Sequence, residues 1–330
     1  MPWKHLTLDQ REVLAQMICR GEHPKDIAAA IGCHRGTVYR EMRRNRAEGG
    51  DYFPARAQAA ADRRRRQSKS AWKMEHPPLA AYVQDKLQQR WSPEQIAGRL
   101  KVDYAQEPSD GEPAMRISHQ GIYDWIAARK ARGGSWQSCL RQGHRKRRKR
   151  YGTAEKRGRI VGRVGIEQRP AEVASRSRAG DWESDTIAGS GSTACLASHV
   201  ERTSRFTVLA KLPDARAARL NAGTIRAFRR HGPLPLRTMT ADNGKEFAAH
   251  ADLTAALGLA VYFARPYHAW ERGLNENTNG LVRQFFPKGM DLAAVTDGQV
   301  RRVEHLLHTR PRKCLGYRTP REVRSGWSSL

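Results

Sequence analysis

The residues best suited to chemistry are three acids spread through the second half of the chain: Asp185 in WESDTIAG, Asp242 in RTMTADNGKEF and Glu276 in ERGLNENTNGLVRQFFPKG. Each ends or follows an apolar stretch, so a fold that gathers them makes a carboxylate cage for divalent metal. Hard cations such as Mg2+ take oxygen donors, and two of them about 3.5 to 4 Å apart activate an attacking oxygen and stabilise a leaving one. The rest of the chain is basic, with 60 Lys and Arg against 33 Asp and Glu in 330 residues and a formal net charge of +27. Such a surface repels itself unless phosphate neutralises it. A small acidic centre inside a polycation points to metal-assisted phosphodiester chemistry on nucleic acid.

Spacing alone does not select these three acids. Asp181 and Glu183 share the strand face of Asp185, Glu246 follows Asp242 closely, and Glu271 precedes Glu276. A single acid is more often a solvated surface charge than a ligand. No Ser or Tyr motif demands a covalent enzyme intermediate. Tyr267 and Trp270 suit packing under a helix better than stacking on an unpaired base, and His268 suits a structural role better than proton transfer. Asn275, Asn277 and Asn279 fit contacts to DNA or turn and capping chemistry equally. The five cysteines have no paired spacing, which argues against disulfides and structural zinc.

The elements that must position the acids begin near Gly180. DWESDTIAG, TACLASHVER and RFTVLAKL read as three consecutive strands, followed by a helix over Ala215 to Arg230, a strand at RTMTAD, a short helix and a strand at LAVYFARP. Three strands and then alternating helices and strands describe a mixed five-stranded sheet with helices on both faces, the ribonuclease H-like arrangement. Strand ends lie at the sheet edge, where Asp185 and Asp242 can approach one another and Glu276 can come from a helix beside them.

The first segment reads as three helices. Thr7 to Gln10 forms a capping-box pattern ahead of a helix that ends near Gly21. PKDIAAAIG starts with proline in its first turn and stops at Gly32, and RGTVYREMRRN follows at once. Ala28, Gly32 and Val38 occupy the small, turn and buried positions of a helix-turn-helix. An ordinary helical hairpin has the same skeleton. Arg35, Thr37, Tyr39, Arg40, Arg43 and Arg44 on the exposed face of the third helix favour DNA reading.

The chain therefore divides into a helix-turn-helix domain over 1–50, a basic helix or tether over 51–77, a second helical, helix-turn-helix-like domain over 78–131, a basic flexible linker over 132–178 and a catalytic domain over 179–330. In the second helical domain Ser92-Pro93-Glu94 and Ser118 read as helix starts, with DNA binding and a purely structural role nearly balanced. The run HRKRRKR reads as a phosphate-gripping linker rather than an import signal. The start of the chain lacks the apolar core of a signal peptide and no apolar run reaches spanning length, so the cytoplasm is the expected place.

DWESDTIAG, TADNGKEF and above all RPYHAWERGLNENTNGLVRQFFPKG resemble the catalytic segments of bacterial DDE transposases of the insertion-sequence-thirty family, relatives of retroviral integrases. TRPRKCLGYRTPREV is similar to that family's C-terminal signature. The resemblance spans nearly the whole chain and implies Asp185, Asp242 and Glu276 as the catalytic, metal-binding triad, with the family's spacing between the last two. It implies Arg283, two helical turns beyond Glu276, as the basic residue directed at the DNA end. It further implies two Mg2+ ions, with Mn2+ as substitute, binding of terminal inverted repeats and target DNA, strand cleavage and strand transfer, and a homodimer or larger assembly on DNA. A catalytically silent DNA-binding regulator and a structure-selective nuclease are the competing readings: the first predicts binding without a metal-dependent product, the second cleavage without joining.

Overall fold

The computed structural model describes residues 5–46, 51–67, 73–106, 114–141, 160–266 and 268–326. The chain falls into two units, Met1–His76 and Pro77–Leu330. The segment HRKRRKR lies outside the described residues.

In the first unit each helix begins where its cap dictates. Thr7 caps α1 (Leu8–Cys19) in a full capping box with Gln10, Pro24 opens α2 (Pro24–Ala30), and His34 caps α3 (Arg35–Asn45). The turn between α2 and α3 needs Gly32 at φ +68°, a backbone angle that costs glycine little. Leu14, Ile27, Ala28 and Val38 fill the small core between the helices. Buried Arg11 pairs with Glu41 at 2.7 Å, and the Tyr52 hydroxyl donates to the same carboxylate at 2.9 Å. The segment expected as a basic helix or tether forms α4 (Pro54–Gln67), and Ala57 joins this core.

The second unit opens with α5 (Pro77–Gln88), α6 (Pro93–Asp103) and α7 (His119–Lys130). Ser92 and Ser118 cap α6 and α7 as their sequences predict. These helices sit in one unit with the sheet. Arg99 of α6 pairs with Glu322 at 2.7 Å, Lys313 with Glu94 at 2.6 Å, and Gly98 faces the Tyr317 ring so closely that a Cβ there would lie 2.2 Å from it. Long-range ion pairs of this kind carry no periodic signal in sequence, which is why the helices read there as a domain of their own.

A short α8 (Glu172–Ser175) leads into the sheet: β1 (Asp181–Ala188), β2 (Cys195–Glu201), β3 (Thr207–Leu212), then α9 (Ala217–Arg230), β4 (Thr238–Ala241), α10 (His250–Leu257) and β5 (Ala260–Phe263). The strand order is β3-β2-β1-β4-β5, antiparallel over the first three strands and parallel from β1 to β4 and β5. This is the mixed, ribonuclease H-like sheet. Trp182, Phe206, Phe228 and Phe263 build the core on one face with α9 and α10. On the other face α11 (Gly273–Val282) and α12 (Asp297–His308) bury Leu281, Val282, Val303 and Leu307 against Ile187, Leu196 and Leu209. Each such large side chain contributes about 1.5 to 3 kcal/mol by leaving water. A last helix, α13 (Pro320–Ser325), follows.

Candidate active site

The register of β1 against β4 pairs Glu183 with Thr240, and two residues further along the parallel strands Asp185 comes level with Asp242. Asp185 thus lies within β1, just past its pairing with β4, and Asp242 follows β4 directly, so the two stand side by side on neighbouring inner strands of the sheet. Asn243 and Gly244 shape the turn that presents Asp242: the Gly244 N–H donates to Asp242 Oδ1 at 3.0 Å, and Asn243 Nδ2 donates to the Ala264 carbonyl at 2.7 Å.

One cation holds the two aspartates together. Arg272 Nη1 stands 3.4 Å from Asp185 Oδ1, and its Nη2 stands 3.7 Å from Asp242 Oδ2. Burial and the neighbouring Asp242 charge raise the Asp185 carboxyl above the ordinary carboxylate range, while Arg272 and the Thr186 N–H pull it the other way. The remaining Asp185 oxygen accepts from Asn279 Nδ2 at 2.9 Å.

Helix α11 is clamped to the sheet by polar side chains one turn apart. Ser198 Oγ donates to Asn279 Oδ1 at 2.7 Å and lies 3.2 Å from Asn275 Oδ1, and the Asn275 N–H donates to Glu183 at 3.0 Å. Asn275 is fully buried and Ser198 stands opposite Asp185 in the register of β1 and β2. Asn277 points elsewhere and accepts from Arg141 Nη1 at 3.1 Å. Two of the three asparagines thus position the helix and Asp185 from within the protein.

The outer side of α11 borders a cavity of 690 Å³ lined by Asp185, Glu276, Arg141, Arg272, Arg283 and Lys288, among others. Glu276 is exposed in that cavity, one helical turn beyond Arg272. Arg283 donates from Nη2 to the Ala188 carbonyl at 2.6 Å; its Nη1 is buried without a partner among the described residues, and burial lowers its pKa. Glu276 and Arg283 therefore share a cavity with Asp185. Among the described residues, however, no three His, Cys, Asp or Glu side chains stand close enough to hold an ion together. The fit to a divalent cation is at the Asp185–Asp242 pair, whose hard oxygens already share one positive charge.

Three of the competing acids are engaged away from this pair. Asp181 pairs with Arg178 at 3.0 Å, Glu183 forms a buried ion pair with Arg202, and Glu271 accepts from the Arg265 N–H at 2.8 Å. Glu246 accepts from Thr186 Oγ1 at 2.9 Å, beside the site. His268 bonds the Pro266 carbonyl in the turn ahead of α11 at 2.8 Å. The side chains of Tyr267 and Trp270 lie outside the described residues. Arg272 itself was missed by sequence reasoning, though a basic residue one helical turn before Glu276 was the available signal.

In the first unit Arg35, Tyr39, Arg40, Arg43 and Arg44 are exposed and Thr37 is half-buried, while Val38 is fully buried. The third helix thus turns its apolar residue inward and its basic face to solvent. Arg40 Nη2 reaches Thr37 Oγ1 at 3.4 Å.

The comparisons with known proteins agree with this anatomy. A helix-turn-helix domain model matches residues 3–45 and the integrase core domain model matches residues 176–269. The chain is 40% identical over 320 residues to the transposase for insertion sequence element IS4351 of Bacteroides fragilis, a match covering 97% of this chain and 95% of that protein. It is 38% identical to the transposase for insertion sequence element IS1086 of Cupriavidus metallidurans, over 90% of this chain and 87% of the relative. To the transposase InsI for insertion sequence element IS30A of Escherichia coli it is 34% identical, over 97% of this chain and 83% of the relative. Among solved structures, the catalytic core domain of BIV integrase aligns with a TM-score of 0.35 at 18% identity, covering 45% of this chain and 97% of that one.

Proposed function

The chain belongs to the IS30 family of insertion-sequence transposases, and from that premise we propose that it binds the terminal inverted repeats of its element, cuts a strand at the element's end and joins the freed 3′-hydroxyl to target DNA. The observation that carries this reading is the pair Asp185 and Asp242 on neighbouring inner strands, sharing one guanidinium beside a cavity that also holds Glu276.

In this reading Asp185 and Asp242 hold divalent metal in place of the Arg272 guanidinium, and Glu276 adds its carboxylate from α11. The oxygen donor set suits Mg2+, with Mn2+ as substitute and two ions as the full complement. Metal bound there supplies a nucleophilic oxygen at neutral pH and offsets charge at phosphorus. Asn279 fixes the Asp185 carboxylate by donating to one of its oxygens. Arg283, Arg141 and Lys288 line the same cavity and bind the phosphates of the DNA end. The exposed basic face of α3 reads the inverted repeat, with Arg35, Thr37, Tyr39, Arg40, Arg43 and Arg44 as its contact residues. Joining two ends in concert requires two catalytic centres, so a dimer or larger assembly forms on DNA; a monomer on paired ends, seen by mass photometry, contradicts this.

The test is strand cleavage and joining on end-bearing DNA with Mg2+, for the wild type and for Asp185→Asn, Asp242→Asn and Glu276→Gln. We expect each substitution to lower the rate by at least about a thousandfold, on the order of 4 kcal/mol of barrier, with end binding retained. Undiminished cleavage in these variants sinks the assignment.

A further inference from the structure

Next to the carboxylate cavity lies a second one of 220 Å³, and the two share Gly273 and Asn277 in their walls. Among the described residues no acid lines it; its charged lining is Arg176, Arg205 and Arg312. Arg312 is only 8% exposed, its Nε is buried without a partner among the described residues, and its Nη2 reaches the Leu307 carbonyl at 3.4 Å. Arg205 donates from Nη1 to the Arg202 carbonyl at 2.7 Å, and its own Nε is likewise buried and partnerless. Among the described residues none of the three arginines has a carboxylate within ion-pair distance.

Such an arrangement is expensive. A buried charge without a counter-charge costs several kcal/mol, and here the neighbours are also cations. Burial, with Arg205 and Arg141 close by, pushes the Arg312 pKa down to about 10. Adjacent Arg310, bonded to the amide oxygens of Gln95 and Gln284, is pushed down to about 9 by burial and by Arg312 and Arg141. Arg176 and Arg205 also hold left-handed backbones, at φ 54° and 65°, a conformation that costs a non-glycine residue roughly 1 to 2 kcal/mol. The first turn of α11, Gly273 and Leu274, lines the same cavity and adds the positive end of a helix dipole. The one chemistry that relieves all of these features together is an oxyanion, and the flat guanidinium fork matches phosphate oxygens.

We infer that this cavity seats one phosphodiester of the DNA backbone, gripped by Arg205 and Arg312 with Arg176 at its exposed edge, so that α11 is held between a bound phosphate and the carboxylates. The inference rests on the strand-transfer reading given above. Free inorganic phosphate has the same oxyanion chemistry, and the experiment separates the two sources.

Binding of a fluorescent end-bearing duplex to the full chain is measured across a sodium chloride series for the wild type, Arg176→Asn, Arg205→Asn and Arg205→Lys. Asparagine tolerates the left-handed backbone, so the first two variants remove charge without straining the fold. Each lost phosphate contact should make the slope of log K against log salt shallower by about 0.9 and weaken binding roughly tenfold at moderate salt, with Arg205→Lys restoring the slope. Wild-type slopes and affinities in both asparagine variants overturn the proposal. A melting temperature raised by inorganic phosphate but not by chloride of equal ionic strength, together with unchanged DNA slopes, assigns the cavity to a small anion and also overturns it. If the wild type cuts and joins DNA while the slopes stay unchanged, only the phosphate seat fails. If the slopes fall as expected but the wild type neither cuts nor joins, the seat stands and the strand-transfer reading fails.

Discussion

The arginines of α3 and those of the second unit's interior carry the same charge under opposite conditions. Arg40, Arg43 and Arg44 stand exposed on a helix whose only fully buried side chain is Val38. Arg202, Arg310 and Arg312 lie inside the second unit, at 8% exposure or less. An exposed arginine costs the fold almost nothing and is available to any phosphate that arrives. A buried one must be answered, and three answers are present: Arg202 has the carboxylate of Glu183, Arg310 has two amide oxygens, and Arg312 keeps an Nε without a partner among the described residues. The net charge of +27 is therefore not one property. Part of it is a surface that attracts DNA, part is internal structure, and part awaits an anion.

The sharpest way to break this contrast is to remove one charge of each kind. Arg202→Met leaves Glu183 buried and unpaired, and urea unfolding of the full chain should show the second unit destabilised by about 3 to 5 kcal/mol; a loss below about 1 kcal/mol would mean that the pair is not needed there. Arg40→Ala combined with Arg43→Ala should leave unfolding within about 0.5 kcal/mol of wild type. The same double variant should weaken end binding by roughly 10- to 100-fold, with a shallower salt slope. Unchanged binding would remove α3 from the DNA interface.

A smaller effect sharpens the contrast from the side of histidine. His199 is fully buried between Ser184 Oγ, at 2.8 Å, and Thr224 Oγ1, at 3.1 Å, and burial pushes its pKa down to about 3. The unfolded chain takes up this proton near pH 6.5 and the folded one does not, so stability falls as pH drops below 6.5, by about 1.4 kcal/mol per unit. Buried His308, pushed down to about 4 by burial, adds to the same trend, so stability measured from pH 7 to pH 5 should fall in both proteins but less steeply in His199→Gln than in the wild type. Equal slopes would show that His199 does not set the acid limb.

Much of the fold was legible because its signals are local. Thr7, Pro24 and Gly32 mark helix ends by capping and backbone preference, and the apolar runs of β1 to β3 are long enough to declare strands. What stayed hidden depends on distant partners. Nothing near Arg99 announces Glu322, and nothing in TRPRKCLGYRTPREV announces that Arg310 and Arg312 are buried. At the candidate site the acids stood out by type and by resemblance, whereas the roles of Ser198, Asn275 and Asn279 arise only when α11 is laid on β1 and β2. Arg272 sat in plain view beside Glu271, but only the register of β1 with β4 sets Asp185 and Asp242 on either side of its guanidinium.

Titration of the full chain with Mn2+, followed through the EPR signal of the free ion, goes straight to that carboxylate pair. Bound Mn2+ should appear in the wild type and in Arg272→Ala, and should be lost in Asp185→Asn and in Asp242→Asn. Equal Mn2+ binding by the wild type and both asparagine variants would show that the ion-holding centre lies elsewhere.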